Sequence, residues 1–85
     1  MKNIFVIYDR FAGELLIKYN PNDPNSWDWD SDNYLDHNDI ASIHPSASFL
    51  TLEAATIAKE KIHAQFLKTI PPTELEFEIL KVNLK

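Results

Sequence analysis

The residues of this chain that are best suited to chemistry are aspartates, and they are concentrated in one segment. Between Asn20 and Leu50, which we call the acidic segment, there are six aspartates and neither lysine nor arginine. The rest of the chain has 7 acidic and 8 basic residues, so the net charge of −5 arises entirely in this segment. Such a segment repels the phosphates of nucleic acids, and it attracts cations or basic protein surfaces.

One interpretation of these aspartates is a calcium loop. The twelve residues 28–39 resemble an EF-hand loop, in which oxygen ligands occupy positions 1, 3, 5, 7, 9 and 12. The corresponding ligands are Asp28, Asp30, Asp32, the carbonyl of Tyr34, Asp36 and Asp39. The loop has Asn33 where the motif has glycine, and nearby prolines replace the helices that flank a paired EF-hand. The motif therefore allows only an isolated loop, with calcium as the alternative cofactor.

The second interpretation is a protein-binding surface. Aromatic side chains are frequent anchors of protein interfaces, and carboxylates complement arginine and lysine on a partner. Carboxylates spread over one face would also imitate the phosphate backbone of DNA and compete with it for basic channels. The residues predicted to bind a partner are Trp27, Asp28, Trp29, Asp30, Asp32, Tyr34, Asp36 and Asp39.

Enzymatic motifs are missing from the sequence, which indicates a non-enzymatic protein without a cofactor. The three histidines, His37, His44 and His63, form no His-x-x-x-His pair, and no serine lies in a Gly-x-Ser-x-Gly elbow. The chain has no cysteine, which excludes thiol catalysis, thiolate metal sites and disulfides. A single glycine excludes a glycine-rich phosphate loop.

Three elements can be predicted around the acidic segment. Residues 2–19 predict a β-hairpin that turns at Asp9–Gly13, since β-branched and aromatic residues flank the turn. Residues 51–68 predict a helix that begins at the N-cap Thr51 and ends before Pro71. Its predicted apolar stripe is Leu52, Ala55, Ala58, Ile62 and Phe66.

Residues 74–84 predict the last strand. The apolar alternation changes phase at Ile79 and Leu80, which predicts either a β-bulge or a stretch that is covered on both faces. The expected fold is α+β: a small antiparallel sheet, made of the N-terminal hairpin and the C-terminal strand, with one helix packed across it.

The length of 85 residues predicts a single domain, 1–85, with the acidic segment as its long loop. The longest apolar run, Ile4 to Tyr8, is too short for a membrane span or a signal-peptide core. With no cysteine in the chain, these features predict a soluble protein of the cytoplasm.

The chain as a whole resembles small accessory proteins of bacteriophages and prophages. The resemblance rests on an opening strand, Phe5 to Tyr8, a tryptophan- and aspartate-containing loop over 27–39, and a helix entered through residues 47–55. Such proteins include inhibitors of host defence, among them anti-CRISPR proteins, which are short, acidic and cysteine-poor. The resemblance implies a stoichiometric inhibitor of a nucleic-acid-handling complex, acting in the host cytoplasm. It assigns no site residues, because the class shares none.

A third hypothesis is a structural protein that forms a homodimer through the edge of a strand. The predicted strands Glu14–Tyr19 and Glu74–Leu84 are the two candidates for that edge.

Overall fold

The computed structural model describes residues 2–31 and 43–84 of the chain. Four of the residues predicted to bind a partner or calcium lie outside the described residues: Asp32, Tyr34, Asp36 and Asp39.

One antiparallel sheet and one helix form the fold, which confirms the predicted α+β class. The strands are β1 (Lys2–Asp9), β2 (Glu14–Lys18), β3 (Asp28–Asp30) and β4 (Phe77–Leu84), and the helix α1 spans Leu52–Phe66. The order across the sheet is β3-β2-β1-β4. Strand β3 was not predicted, because it lies inside the acidic segment. It makes β2 an interior strand, so the prediction that Glu14–Tyr19 could supply a free edge is wrong. Among the described residues, β4 ends the sheet on the other side.

The hairpin turns where the sequence predicts it. The side chain of Asp9 accepts hydrogen bonds from the backbone N–H groups of Phe11 (3.1 Å) and Ala12 (3.2 Å), and Gly13 N–H donates to the Asp9 carbonyl (2.8 Å). Gly13 has φ of +70°, a conformation that residues with a Cβ rarely adopt. The only glycine of the chain is therefore placed by the geometry of this turn.

Strand β4 pairs with β1 along its whole length without a register shift, from Lys2 opposite Leu84 to Asp9 opposite Phe77. Of the two alternatives predicted for the phase change near Ile79 and Leu80, the bulge is therefore excluded. The other explanation of the phase change holds, because Ile79 and Leu80 point to opposite faces and both are half-buried. The strand also begins later than predicted, since Pro72–Glu74 form a 3₁₀ turn before it.

The acidic segment re-enters the sheet just before the helix. Phe49 exchanges two backbone hydrogen bonds with Phe5 of β1 (2.7 and 2.9 Å). On β2, a register shift against β3 leaves Ile17 as an extra residue, and the carbonyl of Ile17 accepts the backbone N–H of His44 (2.8 Å). The second end of the predicted loop is thus fixed by backbone pairing.

Helix α1 begins as predicted, since the Thr51 hydroxyl accepts the Ala54 N–H (3.1 Å). Ala55, Ala58 and Ile62 are buried against the sheet, but Leu52 is 55% exposed. The prediction that Leu52 belongs to the apolar stripe is therefore wrong, because it lies at the flank of the buried face in the first turn. No helix of the described residues is long and apolar enough to cross a membrane.

The core includes both faces of the sheet. Ile7 and Leu16 are buried on the face that carries Trp29, and Ile4, Val6 and Leu15 are buried on the other face. This explains why β1 is an almost continuous apolar run rather than an alternating one.

Candidate functional site

A short 3₁₀ turn delivers the chain into β3 and so positions the first aspartates of the acidic segment. The carboxylate of Asp23 accepts the backbone N–H of Asn25 (3.1 Å), and the Ser26 hydroxyl donates to the Asp23 carbonyl (2.8 Å). The indole N–H of Trp27 donates to the carbonyl of Asn20, which closes the loop from β2. Asp23 therefore has a structural use as the cap of this turn.

Strand β3 separates its aspartates from its tryptophan. In the sheet register Asp30 lies opposite Leu15, Trp29 opposite Leu16 and Asp28 opposite Lys18. Because side chains alternate between the two faces of a strand, Asp28 and Asp30 project to one face and Trp29 to the other. Alternate residues are about 6.6 Å apart along a strand, so the two carboxylates are neighbours.

The tryptophan face of β3 is occupied by an aromatic cluster, which consists of Tyr19, Trp27, Trp29, Phe49, Phe66 and Phe77. The ring of Trp29 lies 6.0 Å from that of Phe66 and 5.9 Å from that of Phe77, and Trp27 lies 6.2 Å from Phe66. Phe66 stacks on Phe77 at 5.6 Å. The two tryptophans thus fix the acidic segment to the C-terminal end of α1 and the start of β4.

The tryptophans and the aspartates were predicted to form one surface, but they lie on different sides of the sheet at β3. Both indole rings are half-buried and already contact other rings. Asp28 is exposed, while Asp30 is half-buried. Of the predicted binding residues that the structure describes, Asp28 therefore offers the most accessible carboxylate.

The accessible side of Trp27 borders an open groove of about 260 Å³ rather than the aspartates. Lys61 of α1 and Lys68, two residues after the end of α1, line this groove together with Pro21 and Pro24. The surroundings of Trp27 are therefore basic and apolar, which further separates this ring from the carboxylates.

The first residues of the predicted calcium loop form an extended strand. Asp28 and Asp30, its first two predicted ligands, belong to β3 and are paired with β2. A ligand loop instead curves around its ion so that the oxygens converge. Within residues 2–31 and 43–84, no group of three histidine, aspartate or glutamate residues is placed to hold a metal ion. The other predicted ligands lie outside the described residues.

Tyr19, which was not predicted as a functional residue, packs against the acidic segment. Tyr19 packs 5.4 Å from Trp27 and 5.9 Å from Phe49, and its backbone N–H donates to the Ser46 hydroxyl (3.0 Å). Burial raises the pKa of the Tyr19 hydroxyl above its usual value. Tyr19 directly follows β2, and this position at the end of an apolar strand was the available signal.

Comparisons with protein-family models, with curated proteins and with solved structures give no match for this chain.

Proposed function

We propose that this protein is a non-enzymatic binding protein whose acidic segment engages a basic surface of another protein. The observation that carries the proposal is the arrangement of β3 at the edge of the sheet. Trp29 points inward and is held by Phe66 and Phe77, while Asp28 and Asp30 project from the opposite face. The fold therefore holds the backbone of the carboxylates still, which reduces the entropy lost on binding.

In this proposal the tryptophans are positioning residues and the carboxylates make the contact. Asp28 is exposed, and Lys18 is its partner in the sheet register. The excess negative charge of the chain lies in the same segment. Concentrated negative charge accelerates association with a basic surface and excludes acidic competitors.

The partner class we propose is a nucleic-acid-handling complex of host defence, with this chain as its phage-encoded inhibitor. Proteins that hold nucleic acid present clustered lysine and arginine, which are the groups that an acidic surface complements. The resemblance to small phage accessory proteins, including anti-CRISPR proteins, supports the same class. The mode of action is stoichiometric occupation of a channel that DNA would otherwise enter.

Displacement of DNA from purified RNA-guided nuclease complexes tests this function. The protein should release a fluorescent double-stranded target from the complex that it inhibits, and cleavage should stop at about one protein per complex. Unchanged DNA binding and cleavage across a panel of such complexes, with the protein in large excess, would contradict the proposed partner class.

Calcium binding by the same aspartates is the alternative that must be separated from this function. Thermal unfolding with calcium, with magnesium and with a chelator provides the separation, because a ligand that binds the folded state at a hundredfold excess over its Kd adds about 2.7 kcal/mol. Unchanged unfolding in all three conditions is the expected result. A rise of several degrees with calcium alone would favour the isolated calcium loop.

A further inference from the structure

The outer edge of β4 has backbone groups that point away from the sheet. The N–H of Arg10, the residue after β1, donates to the carbonyl of Glu76 (2.8 Å). The backbone groups of Glu76 therefore point toward the β1 side of β4. Because the backbone groups of successive residues in a strand point to alternate sides, the backbone groups of residues 78, 80 and 82 also point toward β1. The N–H and C=O groups of the intervening residues therefore point outward; these are Phe77, Ile79, Lys81 and Asn83.

The two edges of the sheet are built very differently. Edge strand β3 has three residues and two aspartates, features that discourage pairing with another chain. Edge strand β4 has eight residues, contains no proline and shows no register shift against β1. Within the described residues, no other strand pairs with its outer side. Four apolar side chains on β4 are half-buried, and they are Phe77, Ile79, Leu80 and Val82.

We propose that β4 is a homodimer interface, in which β4 of a second copy pairs with it antiparallel about a twofold axis at Leu80. A second copy is the occupant that the strand itself fits, because the same outward groups on both chains then satisfy one another. The paired strands would form about eight hydrogen bonds, two for each of four facing pairs. The additional strand would also cover part of the half-buried apolar side chains on both faces.

The charges of β4 select the position of the twofold axis. Residues that face each other across an antiparallel pair have their side chains on the same face of the sheet. The twofold axis therefore cannot lie between two successive residues, and it passes through one residue, which faces its own copy. An axis at Glu78 or at Lys81 would oppose like charges, which is destabilising. With the axis at Ile79, Asn83 would face residue 75 of the second copy, which precedes β4. The outward backbone groups of Asn83 would then have no partner in the paired strand. An axis at Leu80 avoids like charges and uses all four outward residues.

The dimer is independent of the proposed function and compatible with it. Pairing through β4 would extend the strand order to β3-β2-β1-β4-β4-β1-β2-β3, with an acidic β3 at each outer end. Both copies of Asp28 would therefore remain accessible. A monomeric protein would contradict the dimer but not the proposed binding surface. Absence of binding to a nuclease complex would contradict the proposed function but not the dimer.

Mass in solution is the first test of this interface. The mass measured by light scattering coupled to size-exclusion chromatography should approach twice the 9.8 kDa of one chain as the protein concentration increases. Leu80→Lys places like charges opposite each other at the axis and should return the protein to one chain without loss of the helical circular dichroism signal. Glu60→Lys, on the exposed side of α1, is the control that should remain a dimer. A wild-type mass of one chain at all concentrations would overturn the proposal.

Disulfide formation tests the register, because the natural chain has no cysteine. Leu80 would face its copy in a pair without hydrogen bonds, with Cα atoms about 4.5 Å apart, a distance that a disulfide can bridge. Leu80→Cys should therefore form a covalent dimer on mild oxidation. Glu78→Cys and Val82→Cys are the controls, since each would lie about 13 Å along the strand from its own copy. Cross-linking of either control in preference to Leu80→Cys would overturn the stated register.

Discussion

Tyr19 is the residue whose environment depends most on the aromatic cluster. Its side chain is 7% exposed, and its hydroxyl has no hydrogen-bond partner among the described residues. A buried hydroxyl without a partner costs about 1–3 kcal/mol. The same burial raises the pKa of this hydroxyl, because it disfavours the phenolate.

The raised pKa of Tyr19 predicts a loss of stability in alkaline solution. Tyrosine in the unfolded chain loses its proton near pH 10, whereas Tyr19 in the fold keeps it. The free energy of unfolding is therefore unaffected by this group below about pH 10 and falls as the pH rises from there toward the folded pKa. Urea unfolding from neutral pH to above pH 10 should show a smaller loss for Tyr19→Phe than for the wild type. Tyr8→Phe, at a half-buried tyrosine of β1, is the matched control. Equal losses for Tyr19→Phe and the wild type would contradict this explanation.

Thr51 is the residue on which the start of the helix depends. Its hydroxyl accepts the Ala54 N–H, which has no partner inside the helix. Thr51→Ala should reduce the free energy of unfolding by about 1 kcal/mol. Thr56→Ala is the control, because the Thr56 hydroxyl donates to the Leu52 carbonyl within the helix, a bond that adds little stability. The prediction fails if the two variants unfold at the same denaturant concentration.

At the scale of elements, Phe66 connects the helix with two strands. Its ring contacts Trp29 of β3 and Phe77 of β4, and it also contacts Trp27 before β3. Phe66→Ala should therefore cost about 3 kcal/mol, near the lower end of large-to-small core changes because the ring is half-buried. Phe11→Ala, in the hairpin turn with its side chain 57% exposed, should change stability by less than about 0.5 kcal/mol. Equal effects in urea titrations would contradict the structural role of Phe66.

The local signals in the sequence were sufficient for the hairpin and the helix. Gly13 marks the turn and Thr51 marks the N-cap, and both act through bonds to residues at most four positions away. Strand β3 gives no such signal, because aspartate is unfavourable in strands and the Asp-Trp-Asp sequence resembles a loop. Its formation depends on pairing with β2 and on ring contacts to Phe66 and Phe77, which are distant in the sequence.

The candidate site was predictable in its charge but not in its geometry. Composition alone locates the aspartates between residues 20 and 50. The separation of Trp29 from Asp28 and Asp30 follows only once these residues are known to form a strand, since a loop imposes no alternation. Of the two explanations that the sequence allowed for the phase change near Ile79, the bulge does not hold, for a related reason. A change of alternation cannot distinguish a bulge from a strand that is half-buried on both faces.

At the scale of the whole molecule, the two ends of the sheet differ in chemistry. Strand β3 gives one end a pair of carboxylates, and β4 gives the other end a regular row of backbone groups. The lysines that line the groove beside Trp27 lie on α1 and just after its C-terminal end, away from the aspartate face of β3. A partner with a basic surface would therefore approach the molecule at its β3 end.

Charge reversal at Asp28, compared with an equal reversal elsewhere, tests this account most directly. Asp28→Lys and Glu60→Lys change the net charge equally at exposed positions, so only their locations differ. Binding to a nuclease complex that the wild type inhibits would be measured from about 50 to about 500 mM salt, because exposed charges are screened within about 10 Å at 0.1 M. We predict that Asp28→Lys weakens binding at least tenfold, that Glu60→Lys leaves it within about twofold, and that wild-type affinity falls with salt. Equal effects of the two reversals, or an affinity that is independent of salt, would contradict the central claim.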